Sequence, residues 1–104
     1  MKDLILNEIY NHDQTSPIKG RVLGEKFGIT DANVRQFINE LRCEGHPIAA
    51  ETSKTGRKGY WYAKTEAELE HTDRSMLSRI NSMQQARVGM FKPFRKQDQL
   101  SLSF

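Results

Sequence analysis

The run Phe27-Gly-Ile-Thr-Asp31 constrains this chain more than any other stretch. Gly28 can take the left-handed conformation that ends one helix, and Thr30 is a strong N-cap for the next. Ile29 and Val34 stand at the two staple positions, which fix how the chain enters the second helix. Two helices joined by a tight turn follow. The first runs from about Lys19 to Phe27, with Leu23 and Phe27 as its inward pair; Gly24, on the turn between them, permits a close helix approach. The second runs from Asp31 to about Glu44, buries Val34, Ile38 and Leu41, and stops at Gly45.

Upstream, Ile5 and Ile9 set a helix over residues 2–11, with Leu4, Leu6 and Tyr10 widening its stripe. The polar stretch Asn11 to Pro17 is a loop, and Ile18 is placed for a short strand. Past Gly45 the period changes from helical to two-residue. Residues 47–53 and 60–64 read as strands, and Lys54-Thr-Gly-Arg-Lys-Gly59 reads as the hairpin tip between them. Tyr60 and Tyr62 then share one face while Trp61 points to the other. Thr65-Glu-Ala-Glu68 is a capping box, so a long helix starts there and reaches about Arg87 or Val88, roughly 35 Å at 1.5 Å per residue. Pro93 forbids its continuation.

The expected fold class is mainly α with a small β-hairpin: a winged helix-turn-helix over residues 1–64, a long helix over 65–90 and a flexible basic tail over 91–104. An apolar share of 37% in 104 residues agrees with one small core and solvated extensions.

No apolar run approaches the ~18 residues a membrane span needs, and the N-terminus has no signal-peptide pattern. A cytoplasmic protein is expected. Cys43 is the single cysteine, so an internal disulfide is impossible. His12, His46 and His71 lie far apart without metal-ligand spacing. No phosphate-binding glycine loop and no paired carboxylates stand out. Hence no catalytic residue, metal or cofactor is expected, and the chain reads as a non-enzyme.

Charge is patterned. Residues 31–65 carry six basic and four acidic side chains and residues 89–104 carry three and one, while residues 1–30 balance and residues 66–88 are net −1. Two basic zones flanking a near-neutral one point to a directed phosphate-binding surface.

Helix, helix, turn, helix and a basic two-stranded hairpin within 65 residues is a winged helix-turn-helix layout. The segment Phe27-Gly-Ile-Thr-Asp-Ala-Asn-Val-Arg-Gln-Phe-Ile-Asn-Glu-Leu-Arg42, followed by Glu44-Gly45 and Gly59-Tyr60, resembles the N-terminal domain of biotin operon repressors and related winged-helix regulators. The whole arrangement, including the Thr-capped helix after the wing, is also similar to small phage-encoded winged-helix proteins. The resemblance implies binding of double-stranded DNA in transcription regulation, replication or recombination, in a host bacterial cytoplasm if phage encoded.

The residues make their own case for DNA. Asn33, Arg35, Gln36, Asn39 and Arg42 face away from the apolar stripe of the third helix. Arg can fork onto guanine, and Asn or Gln onto adenine. Lys54, Arg57 and Lys58 of the hairpin, with Lys19 and Arg21 at the second helix, suit phosphate contacts that position without reading sequence. Asp31 and Glu40 oppose that use, and a solvated polar face is the bland alternative. Phe37 either completes the core or meets a thymine methyl; Trp61 either faces a partner or packs beneath the long helix.

That helix must bury its stripe to be stable. It folds back, or it pairs with a second copy through residues 66–88. Leu69, Met76, Ile80 and Met83 are the expected dimerisation residues, with Asp73 and Arg87 interrupting the 3–4 spacing. A two-fold dimer sets two recognition helices on half-sites about 34 Å apart, or a multiple of that turn. Finally, Gln99-Leu-Ser-Leu-Ser-Phe104 resembles the bacterial sliding-clamp-binding motif. The resemblance implies an extended peptide that inserts Leu102 and Phe104 into an apolar pocket, with Leu100 beside them and the Gln99 amide at the rim. The alternatives are a frayed tail or a strand that packs on its own sheet.

Overall fold

The computed structural model describes residues 1–52 and 58–94. Its order is α1 (Lys2–Tyr10), α2 (Gly20–Phe27), α3 (Asp31–Cys43), β1 (Ile48–Glu51), β2 (Gly59–Tyr62) and α4 (Glu66–Met90). The fold is mainly helical with a small antiparallel hairpin, compatible with a winged helix. Two compact units divide it, Met1–Thr72 and Asp73–Phe104, with the division falling inside α4.

The turn between α2 and α3 forms as its residues dictate. Gly28 is left-handed with φ 68°, and its N–H and that of Ile29 both return to the Gly24 carbonyl. Thr30 Oγ1 accepts the Asn33 N–H at 3.2 Å, which satisfies one orphan donor of α3. Gly24 is needed for a backbone contact: a Cβ there would lie 2.7 Å from the Ile29 carbonyl oxygen. The close approach is to the turn itself, a tighter constraint than helix on helix. Gly45, at φ 106°, carries the chain out of α3.

Ile5, Ile9, Leu23, Val34, Ile38, Leu41 and Ile48 form one core with Ile18, and Phe27, Phe37, Tyr60 and Tyr62 pack around it. Fully burying each aliphatic side chain contributes about 1.5–3 kcal/mol. Phe37 is therefore a boundary residue of the core. Leu4 and Tyr10 are exposed and do not widen the inward stripe of α1; Tyr10 instead meets Tyr62 edge-on at 4.9 Å.

The strands pair antiparallel, with Ala49 opposite Trp61 and Ala50 opposite Tyr60. Ile18 adds a single bridge to Tyr60, exchanging both backbone hydrogen bonds at 2.8–2.9 Å. Because side chains alternate along β2, Tyr60 and Tyr62 go to the main core and Trp61 to the opposite face. There Trp61, Ala49 and Ala63 form a second cluster, on which Leu69 packs.

The opening turns of α4 are tied to that face by polar bonds. Glu68 Oε1 accepts the Trp61 indole N–H at 2.8 Å, while its other oxygen accepts the backbone N–H groups of Lys64 and Thr65. The capping box thus also satisfies the buried indole. Thr72, the one buried polar side chain among the described residues, bonds Ala50 of β1. Trp61 packs beneath the first turns of α4, and Leu69, one of the expected dimerisation residues, is half-buried against the same cluster. From Asp73 to Phe94 no described residue is buried; α4 ends at Met90, three residues before Pro93, and Phe91–Phe94 forms the turn that follows it.

Candidate nucleic-acid interface

Helix α3 is held by Val34, Ile38 and Leu41, each about 1% exposed, and this anchoring decides what it offers outward. Gln36 and Asn39 are exposed on the side opposite the buried stripe, and Arg35 is exposed on the flank that looks toward the hairpin. Asn33 is also exposed, on the flank toward α2, where it lines a shallow depression with Arg21, Gly24 and Thr30.

Arg42 departs from the expected set. It is half-buried, and its Nε donates to the Ile48 carbonyl at 2.9 Å. The last turn of α3 lies against the start of β1, so a side chain one turn from Ile38 meets the strand before it meets solvent. Arg42 joins α3 to the hairpin through this bond.

Beside the exposed face of α3 lies a groove of about 520 Å³. Its walls are the N-terminal ends of α2 and α3 and the facing parts of both strands. Lys19, Arg21, Arg35 and Lys58 line it, four of the basic residues expected from sequence, against two acidic ones, Asp31 and Glu51. Gly20, Gly59 and Tyr60 contribute to its lining. Lys19 sits in extended conformation as the N-cap of α2 and has no side-chain cap bond. Arg21 lies 4.0 Å from Glu25 one turn on, and a solvent-exposed pair of this kind contributes little. Two helix N-termini add partial positive charge at the same place.

The hairpin wall owes its position to Gly59. Its φ is 142°, and a Cβ would lie 2.6 Å from the Ile18 carbonyl oxygen, so only glycine lets the strand approach Ile18. Sequence reasoning missed Glu51 and Thr52 as groove residues; strand alternation alone does not tell which neighbours bring them there. Lys54 and Arg57, and the terminal Gln99, Leu100, Leu102 and Phe104, lie outside the described residues.

Each of the three histidines has a nearby partner. His12 bonds the Ser16 carbonyl at 2.8 Å and Glu8 at 3.2 Å, His46 bonds the Tyr62 hydroxyl at 3.2 Å, and His71 lies 3.3 Å from Glu51. A hydrogen bond from Lys26 holds the Glu8 carboxyl below the usual carboxylate range, aided by His12. The Trp61 indole does the same for Glu68. Among the described residues no group of three or more His, Cys, Asp or Glu is arranged to hold a metal ion, and no helix is long and apolar enough to cross a membrane. Comparison with known proteins finds no matching family model, no matching curated protein and no matching solved structure.

Proposed function

We propose that the chain is a non-enzymatic winged-helix protein that binds double-stranded DNA. Helix α3 enters the major groove with Arg35, Gln36 and Asn39 toward base edges, and the hairpin follows the adjacent backbone. The observation that carries this reading is the convergence of Lys19, Arg21, Arg35 and Lys58 on one groove beside the exposed face of α3. Phosphate contacts of this kind fix register, while forked and amide side chains discriminate bases. The resemblance to biotin operon repressor N-terminal domains and to small phage-encoded winged-helix proteins belongs to the same reading. So does self-association through α4, from Met76 onward.

A mobility-shift assay at moderate salt tests it. Replacing Arg35, Gln36 and Asn39 together by Ala should abolish preference for any selected site. Unchanged affinity and unchanged preference in that triple variant would refute the mechanism.

A second reading concerns Gln99-Leu-Ser-Leu-Ser-Phe104, whose order fits a peptide ligand of a bacterial sliding clamp. Tethering such a peptide to a DNA-binding module raises its effective concentration at clamps on DNA. Purified clamp should bind the full chain and lose that binding when residues 99–104 are removed; equal binding by both would exclude this use.

A further inference from the structure

We infer that the helix from Asp73 onward pairs with a second copy of itself in antiparallel orientation, about a two-fold axis near Ile80. The inference rests on reading this segment as the place of self-association and adds the orientation and register.

Leu77, Ile80, Met83 and Met90 are all more than half exposed, as is Phe94 just beyond the helix. A helical extension of about 27 Å in which no described residue is buried draws little stability from packing. The seam at 3–4 spacing runs Asp73, Met76, Ile80, Met83, Arg87, Met90, so it is apolar except at two charged positions. Both are exposed. Asp73 and Arg87 are opposite in sign and lie seven residues to either side of Ile80. Turned end for end, the helix superposes each of these charges on its complement.

That placement selects both occupant and direction. Parallel copies would set Asp73 against Asp73 and Arg87 against Arg87, two like-charge contacts in the middle of an apolar seam. Antiparallel copies set Asp73 against the partner's Arg87 and the reverse, while Met76 comes beside the partner's Met83 to within one residue and the Ile80 pair closes on the axis. An isologous contact needs such a self-complementary pattern. A membrane surface would have to accept both charges inside its apolar face.

Sedimentation equilibrium of the full chain without DNA tests the proposal, with Cys43→Ser to exclude cross-linking through that exposed thiol. Asp73→Arg and Arg87→Asp should each weaken the dimer about tenfold, since each turns two attractions into repulsions. Combining them should return the dissociation constant to within about threefold of the parent. Ile80→Asp should give monomer with helical content unchanged in the winged unit. A parent that stays monomeric at millimolar concentration, single reversals without effect, or a double reversal that fails to recover would each overturn it. A chain that dimerises by this rule but ignores DNA refutes only the DNA reading, and one that shifts DNA as a monomer refutes only this one.

Discussion

The Thr72 side chain stands where a third strand would stand beside Ala50. Its hydroxyl accepts the Ala50 N–H at 2.9 Å and donates to the Ala50 carbonyl at 3.2 Å. At this residue β1 has its hydrogen-bonding groups turned away from β2, because Ala50 and Tyr60 form a non-bonded pair in the register. One threonine thereby covers the open edge of a two-stranded sheet, where unpaired backbone groups are a liability.

Thr72→Val should cost about 1–3 kcal/mol, since it leaves a strand donor and acceptor without that partner at similar volume. Thr72→Ser should retain most of the stability. Urea unfolding of both variants checks the pair of outcomes, and equal stability of the valine variant and the parent would show the edge is satisfied otherwise.

Thr30→Ala should destabilise the domain by about 1 kcal/mol through loss of the α3 cap. Gly59→Ala should cost more, because it combines an unfavourable φ with a backbone clash at Ile18. Thermal unfolding should rank the two in that order.

Stability should fall in acid partly through Glu8. Its carboxyl is held below the ordinary value by the Lys26 bond first and His12 second. A lowered folded-state value means the contribution is complete above the unfolded carboxylate range and is lost as pH drops through the folded one. Lys26→Met should therefore lower stability at neutral pH and flatten the acid limb, read from urea midpoints between pH 7 and 3.

Binding to DNA should respond to the groove charges in opposite directions. Lys58→Ala or Arg21→Ala should weaken binding to all sequences and reduce the slope of log affinity against log salt by about one. Asp31→Asn should strengthen it severalfold, because Asp31 lies in the same groove. Titration of random-sequence duplex at three salt concentrations distinguishes these outcomes from a mere change in fold.

Much of the architecture was legible because its signals are local. Gly28 and Thr30 define a turn through backbone conformation and one hydrogen bond, so their neighbours in sequence are their neighbours in space. The capping box at Thr65 is of the same kind. Exposure of Arg35, Gln36 and Asn39 followed from the helical period of Val34, Ile38 and Leu41. What the sequence did not disclose depends on packing between distant segments. Arg42 has the period of an outward residue but meets Ile48, six residues on and past the turn. Leu69 has the period of a dimer seam but meets Trp61 on the back of the sheet. Thr72 carries no marker at all, since a threonine in a helix gives no hint that a strand edge twenty-two residues earlier needs its hydroxyl.

The dual use of Glu68 makes the short connection between β2 and α4 intolerant of any change in length. One added residue would turn the helix by about 100°, withdrawing Glu68 from the indole, Leu69 from the sheet's back and Thr72 from the strand edge in a single stroke. Insertions and deletions that survive selection should thus be absent from residues 63–67, however freely individual side chains there are exchanged.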